Sequence, residues 1–368
     1  MGWLELFYDL VFVVVIAELA DFLARHVTAD GVFGYVLLFI PVWWVWIGGT
    51  IYTERFETED VSFRVFTFLQ MLPVAAMALF VHDGLGTGAK GFALSYTAVR
   101  IILIFMWLRG GWYVPAMRPV TSRYAVGFTI SVLLFVVSVF VEPPLRFALW
   151  GVGLVIDLLA PLPTLRFQAR LPRFSTSRLP ERFGLFVIIV LGEAIVGVVQ
   201  GLAEQERLTA GVIVGGVFGM ALAFGLWWTY FDFVAHRHPK RGVWWTLAFS
   251  YTHLPLVMAI AAVGAGVLNL LTLEEGVLTP NVRWLITGAA AVALAAIGVI
   301  ELLLQRTTQD PVNPRVSFPL KVAAGALALG LGLMGGALGP LALLSILILL
   351  VLAQMLYAAV TWFRSAPA

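Results

Sequence analysis

At 368 residues, 61% of them hydrophobic and 12% charged, with a mean hydropathy of +0.96, the chain is far from the roughly half-apolar, quarter-charged mix of a soluble domain. The absence of cysteine excludes a disulfide framework, a thiol nucleophile and a thiolate metal site. The net charge of +2 says little by itself, and no cofactor, bound metal or nucleic-acid partner is expected.

A membrane-spanning helix needs about 20 mostly apolar residues. That rule predicts an all-α polytopic transmembrane bundle of about twelve helices, near residues 6–24, 32–53, 62–81, 92–108, 123–141, 146–161, 183–203, 210–233, 246–271, 283–304, 318–338 and 340–363. The sixth segment is short and the turn before the twelfth is tight, so ten or eleven spans also fit.

The first segment, ELFYDLVFVVVIAELADF, carries Glu5, Asp9, Glu18 and Asp21. No Lys or Arg precedes it, so it is expected to stay in the protein and not to act as a cleaved signal. Asp9 and Glu18 are nine residues apart and point to opposite sides of a regular helix, whereas Glu5 and Asp9 share a face. A helix with acids on several sides is expected to be central in its bundle. In the second segment Trp43, Trp44 and Trp46 read as interfacial anchors or core.

Arg100 falls inside the fourth segment. Entering from outside, it would lie about 12 Å from the outer edge, and Glu18 about 18 Å from the cytoplasmic edge, so the two share a level and form a plausible buried pair. Asp157 in the sixth segment and Glu193 in the seventh both come out near the midplane. Between them, PLPTLRFQARLPRFSTSRLPER (161–182), rich in Pro and Arg, reads as a linker. The expected organisation is therefore a first six-helix repeat (1–162), a basic cytoplasmic linker (163–180) and a second six-helix repeat (181–368).

The halves resemble each other: ELFYDLVFVVVIAE parallels ERFGLFVIIVLGE, and FLQMLPVAAMA parallels SYTHLPLVMA. Each half holds an even number of helices, which makes the repeats parallel, an arrangement known among transporters. Asp232 and Glu301 lie nearer the cytoplasmic edge. His253 sits beside Pro255, where a helix loses a backbone donor, and reads first as a histidine hydrogen-bonded to a neighbouring helix. The run AHRHPKR (235–241) reads as a basic loop meeting anionic lipid. Glycines spaced by four, such as Gly197 and Gly201, read as packing signals.

Lys and Arg are enriched in cytoplasmic loops. Of the 23 present, 17 fall in the even-numbered loops and tail, with Lys321 counted among them, which predicts both termini inside. Charged groups at membrane depth usually face the protein interior and carry a role. Glu193, Asp157 and Glu18, with Asp9, Asp232, His253 and Arg100 as further candidates, therefore suggest a non-enzymatic, transporter-like protein that moves protons, ions or a small solute. A cation channel, a membrane scaffold and an intramembrane enzyme are the alternatives.

ELFYDLVFVVVIAEL, ERFGLFVIIVLGEAIVGV, LWWTYFDFVAHR and YTHLPLVMAIAAVGAG, in this order, resemble the bacterial low temperature requirement A family of integral membrane proteins. The resemblance spans nearly the whole chain and implies a multi-pass protein of the bacterial plasma membrane, linked by name to growth in the cold. It implies no substrate. The family-like positions are Glu5, Asp9, Glu181, Arg182, Glu193, Asp232, His253 and Pro255; Arg178 and Glu18 stand where the family pattern has His and Gln. The run Phe7 to Phe12 is also similar to the first-helix motif of potassium channels built from six-helix repeats, where that helix lines the pore.

Overall fold

Inside a bilayer no water satisfies backbone N–H and C=O groups, so long apolar runs fold as helices that bond within themselves. The computed structural model describes residues 2–56, 60–171, 178–235, 237–273, 278–306 and 312–365. The regular elements among them are α1 (Trp3–Arg25), α2 (Ala29–Phe56), α3 (Val61–Val81), α4 (Ala89–Tyr113), α5 (Arg118–Ser138), α6 (Leu145–Leu159), the one-turn α7 (Leu165–Gln168), α8 (Arg178–Ala203), α9 (Ala210–Phe233), α10 (Val243–Leu271), α11 (Pro280–Leu303), α12 (Pro314–Met334) and α13 (Pro340–Ser365).

Among the described residues, eleven helices are long and apolar enough to cross a membrane. The short α6 reaches that length only with the turns that follow it to Gln168. α1 has the length but is not among the eleven, since its acids make it too polar by the same measure. Of the predicted linker, residues 172–177 lie outside the described residues, as does His236 of the basic run.

Helix starts follow local chemistry. Thr279 caps α11 and Asn313 caps α12, each followed by a proline at the first helical position. There the missing N–H costs nothing and φ is already helical. Asp60 caps α3: its carboxylate accepts from the Phe63 backbone N–H at 2.7 Å and the Ser62 hydroxyl at 2.8 Å, and it pairs with Arg109 at 3.2 Å. These bonds, the backbone one foremost, hold its carboxyl below the ordinary carboxylate range.

A depressed carboxyl contributes stability that is present above its unfolded pKa and lost as pH falls through the lower, folded value. Replacing Asp60 by Ala is therefore expected to cost about 1 kcal/mol near neutral pH, as cap removal usually does. In thermal melts of the detergent-solubilised protein, its deficit against wild type should shrink as pH falls below roughly 4. A pH-independent deficit would show that the charge is not what caps the helix.

The chain divides into two compact units. The first comprises Met1–Phe22, Phe33–Leu179 and Gly242–Trp244; the second comprises Leu23–Val32, Pro180–Arg241 and Trp245–Ala368. In the first, α4 packs on α3 and α5, and α5 packs on α6. Its core is aromatic: Tyr52, Trp107, Tyr124 and Phe128 are buried together, with Tyr124 stacked on Phe128 at 5.3 Å between ring centres. Trp43, Trp44 and Trp46 are also buried and belong to the core, whereas Trp227 and Trp228 of α9 are exposed.

The expectation that α1 is central needs correcting. Trp3, Phe7, Leu10 and Val14 leave an apolar stripe of α1 exposed. Of its four acids Asp9 alone is buried, while Glu5, Glu18 and Asp21 are half-buried, so the helix is covered along part of its circumference only.

In the second unit α11 packs on α12, α13 on α9 and α12, and α9 on α11. Helices α8 and α10 cross closely through small residues. A Cβ on Gly264 would lie 2.7 Å from the Ala194 Cα, and one on Gly197 would lie 2.8 Å from the Gly264 carbonyl oxygen. Backbone atoms cannot yield, so any side chain at Gly264 must push the two helices apart.

Candidate functional site

Among the described residues, each unit holds an ion pair buried within its helices. In the first unit, α4 carries Tyr96 and Arg100 one turn apart, which sets both on one face. α6 presents Asp157 to that face and α5 adds Ser131. Arg100 Nη2 donates to Asp157 Oδ1 at 2.5 Å, while the Tyr96 hydroxyl at 2.6 Å and the Ser131 hydroxyl at 2.7 Å both donate to Oδ2. All four side chains are buried, Arg100 and Asp157 completely. The guanidinium lies 4.0 Å from the centre of the Phe128 ring, whose face supplies electron density where its Nε and Nη1 have no hydrogen-bond acceptor.

This overturns the expected Arg100–Glu18 pair. Equal depth fixes a level but not a neighbour, and the packing of α4 on α5 and α5 on α6 brings Asp157 to Arg100. Glu18 lies instead beside Asp21 and His82. Ligand atoms of these three lie within 4.8 Å of one another, and they are the group among the described residues whose spacing could hold a metal ion. His82 Nδ1 is 3.9 Å from Asp21 Oδ2.

In the second unit, Glu301 of α11 meets Ser317 and Lys321, one turn apart on α12. Lys321 Nζ donates to Glu301 Oε2 at 3.0 Å and the Ser317 hydroxyl donates to Oε1. The Lys321 ammonium also lies 3.3 Å from the centre of the Phe233 ring. Both side chains of the ion pair are fully buried. Glu301 lies two residues from the end of α11, in keeping with a place near an edge, whereas Lys321, counted with the loops from the sequence, is inside α12. The correction has a local cause: α12 starts at Pro314 and not near 318, which places Lys321 in its third turn.

His253 of α10 is fully buried, with Nδ1 2.7 Å from the Phe249 carbonyl and Nε2 3.0 Å from the Tyr230 hydroxyl. A carbonyl only accepts, so Nδ1 carries the proton and Nε2 is free to accept from Tyr230 in the neutral ring. Both nitrogens are thereby engaged, the arrangement expected of a histidine that ties one helix to another. Glu193, near the middle of α8, is buried next to the close crossing at Ala194 and Gly264. Asp9 is buried and accepts from the Trp46 indole at 2.8 Å.

Residues 1–362 match the family described as bacterial low temperature requirement A protein. The chain belongs to this family. It is also 28% identical, over 71% of its own length and 67% of the other's, to an uncharacterized protein of Rhizobium meliloti (strain 1021). No solved structure matches.

Within this member of the low temperature requirement A family, a multi-pass membrane protein, the family-like positions divide by burial. Asp9, Arg182, Glu193 and His253 are buried, Glu5 is half-buried, and Glu181 and Asp232 are exposed. Asp232 accepts from the Trp228 indole one turn away at 2.6 Å. Sequence reasoning missed Tyr96, Ser131, Tyr230 and Ser317, since a hydroxyl in an apolar helix gives no periodic signal. It also missed Lys321, which a helix start at Asn313-Pro314 could have revealed.

Proposed function

We propose that this family member is a carrier that moves protons, ions or a small solute across the bacterial inner membrane through intramembrane carboxylates, with both termini cytoplasmic and two parallel six-helix repeats. The observation that carries the reading is the burial of Glu193 in the middle of an apolar helix, beside the small-residue crossing of α8 and α10. A carboxyl at such a depth is costly to keep, and one kept there by default serves a path.

The Arg100–Asp157 pair and Glu193 have different parts in this reading. Arg100 and Asp157, closed by two hydroxyls, hold helices together as a fixed counter-charge. Glu193 is the carboxylate that loads and releases. Intrahelical Pro73 and Pro255, at matching places in the two halves, support the repeat and give each half a helix with a broken ladder.

The test is flux into liposomes that hold a pH-sensitive dye, under an imposed ion gradient. Wild type is expected to pass protons or to couple them to the ion. Glu193→Gln, confirmed as folded, is expected to bring the signal to that of empty liposomes. Undiminished flux in the folded variant would remove Glu193 from the path and the reading with it.

A further inference from the structure

The first unit holds an open groove of about 560 Å³ between the end of α4 and the start of α5. Leu108, Trp112 and Phe167 supply its apolar wall, and Arg118 and Arg123 lie along it with the Ser122 hydroxyl. We infer that this groove is a binding site for an anionic phospholipid, with the phosphate at Arg118 and Arg123 and an acyl chain along Leu108, Trp112 and Phe167.

Four observations converge on that occupant. First, both guanidiniums are held in place by backbone carbonyls. Arg118 Nε donates to Gly111 at 3.1 Å and its Nη2 to Trp112 at 3.3 Å, while Arg123 Nη1 donates to Pro119 at 2.7 Å. Each therefore keeps further N–H donors for a ligand, in the planar fork that suits phosphate oxygens. Second, neither forms an ion pair with a carboxylate among the described residues, and the sequence flanking the groove is one-sided. Residues 109–123 contain Arg109, Arg118 and Arg123, residues 161–171 contain Arg166 and Arg170, and neither stretch contains an acid.

Third, Arg123 and Arg166 both lie against the Phe167 ring, at 4.1 and 4.8 Å from its centre. The ring thus gathers two cations at the edge of the groove, which raises its attraction for an anion. Fourth, the wall is largely apolar and Trp112 is 75% exposed, the pattern of an aromatic side chain at a membrane interface. A free phosphate ion would have no use for such a wall. Basic pockets between helices at the membrane edge take lipid headgroups by the same chemistry.

The test is native mass spectrometry of the full chain in detergent, titrated with phosphatidylglycerol and with phosphatidylcholine of the same acyl chains. Wild type is expected to retain phosphatidylglycerol at least about tenfold more tightly, and millimolar inorganic phosphate should leave it bound. In R118Q/R123Q the preference should fall to near parity, while Arg123→Lys should keep part of it. If the double variant does not fold, Arg118→Gln alone, an exposed position, should still reduce the preference severalfold. Equal retention of both lipids by wild type, an unchanged preference in the folded double or single variant, or displacement of the lipid by inorganic phosphate would each overturn the inference.

Discussion

Replacing Arg100 by Met is expected to destabilise the first unit by about 3–5 kcal/mol, the cost of breaking a buried ion pair from one side. The Asp157 carboxylate would keep the Tyr96 and Ser131 hydroxyls but lose its cation, in a place fully closed to water. The Arg100→Met, Asp157→Leu double variant should recover only part of that loss: a buried pair exchanged for packed hydrophobes is often neutral or better, but the exchange also strips two hydroxyls of their acceptor. Recovery should stop short of wild type: the hydroxyls of Tyr96 and Ser131 lose their acceptor, at about 1–3 kcal/mol for each one left unsatisfied. Melting in detergent, followed by tryptophan fluorescence, reads all three proteins. A double variant as unstable as Arg100→Met would mean that the orphaned Tyr96 and Ser131 hydroxyls cost as much as the unpaired Asp157 carboxylate.

The fold was readable where one segment suffices to determine it. Among the described residues each of the twelve apolar runs became a helix, eleven of them long and apolar enough to cross a membrane once α6 is counted with the turns after it, because a backbone without water has little other choice. Burial of Glu193 and Asp157 followed from counting residues along a helix, and the hydrogen-bonded reading of His253 from its place beside Pro255.

What failed depended on neighbours. Nothing in the spacing of Arg100 or Glu18 says which helix lies beside α4, so a correct argument about depth chose the wrong carboxylate. The same gap made α1 look central: one neighbour, Trp46, suffices to receive the buried Asp9, and the other acids stay half-buried, so the helix can leave an apolar stripe exposed. Lys321 was lost to a boundary of a few residues, where a loop and the third turn of a helix look alike until the Asn313-Pro314 start is weighed.

Lys321→Met is the second large effect, expected to cost about 3–5 kcal/mol in the second unit, since Glu301 would remain fully buried with Ser317 as its remaining partner in the pair. This ion pair carries an addition that the Arg100 site shares only in part: the ammonium sits 3.3 Å from the Phe233 ring centre as well as 3.0 Å from the carboxylate. Phe233→Leu keeps the volume roughly constant but removes the ring's electron density, so it should cost about 2 kcal/mol beyond any packing loss. The two losses should not add. Once Lys321 is Met, changing Phe233 removes no cation contact, and the double variant should be less stable than Lys321→Met by the packing term alone. A double-mutant cycle on thermal melts gives the coupling directly. Full additivity would assign Phe233 to packing, and leave the Glu301 carboxylate, steadied by Ser317, as the partner that holds the ammonium.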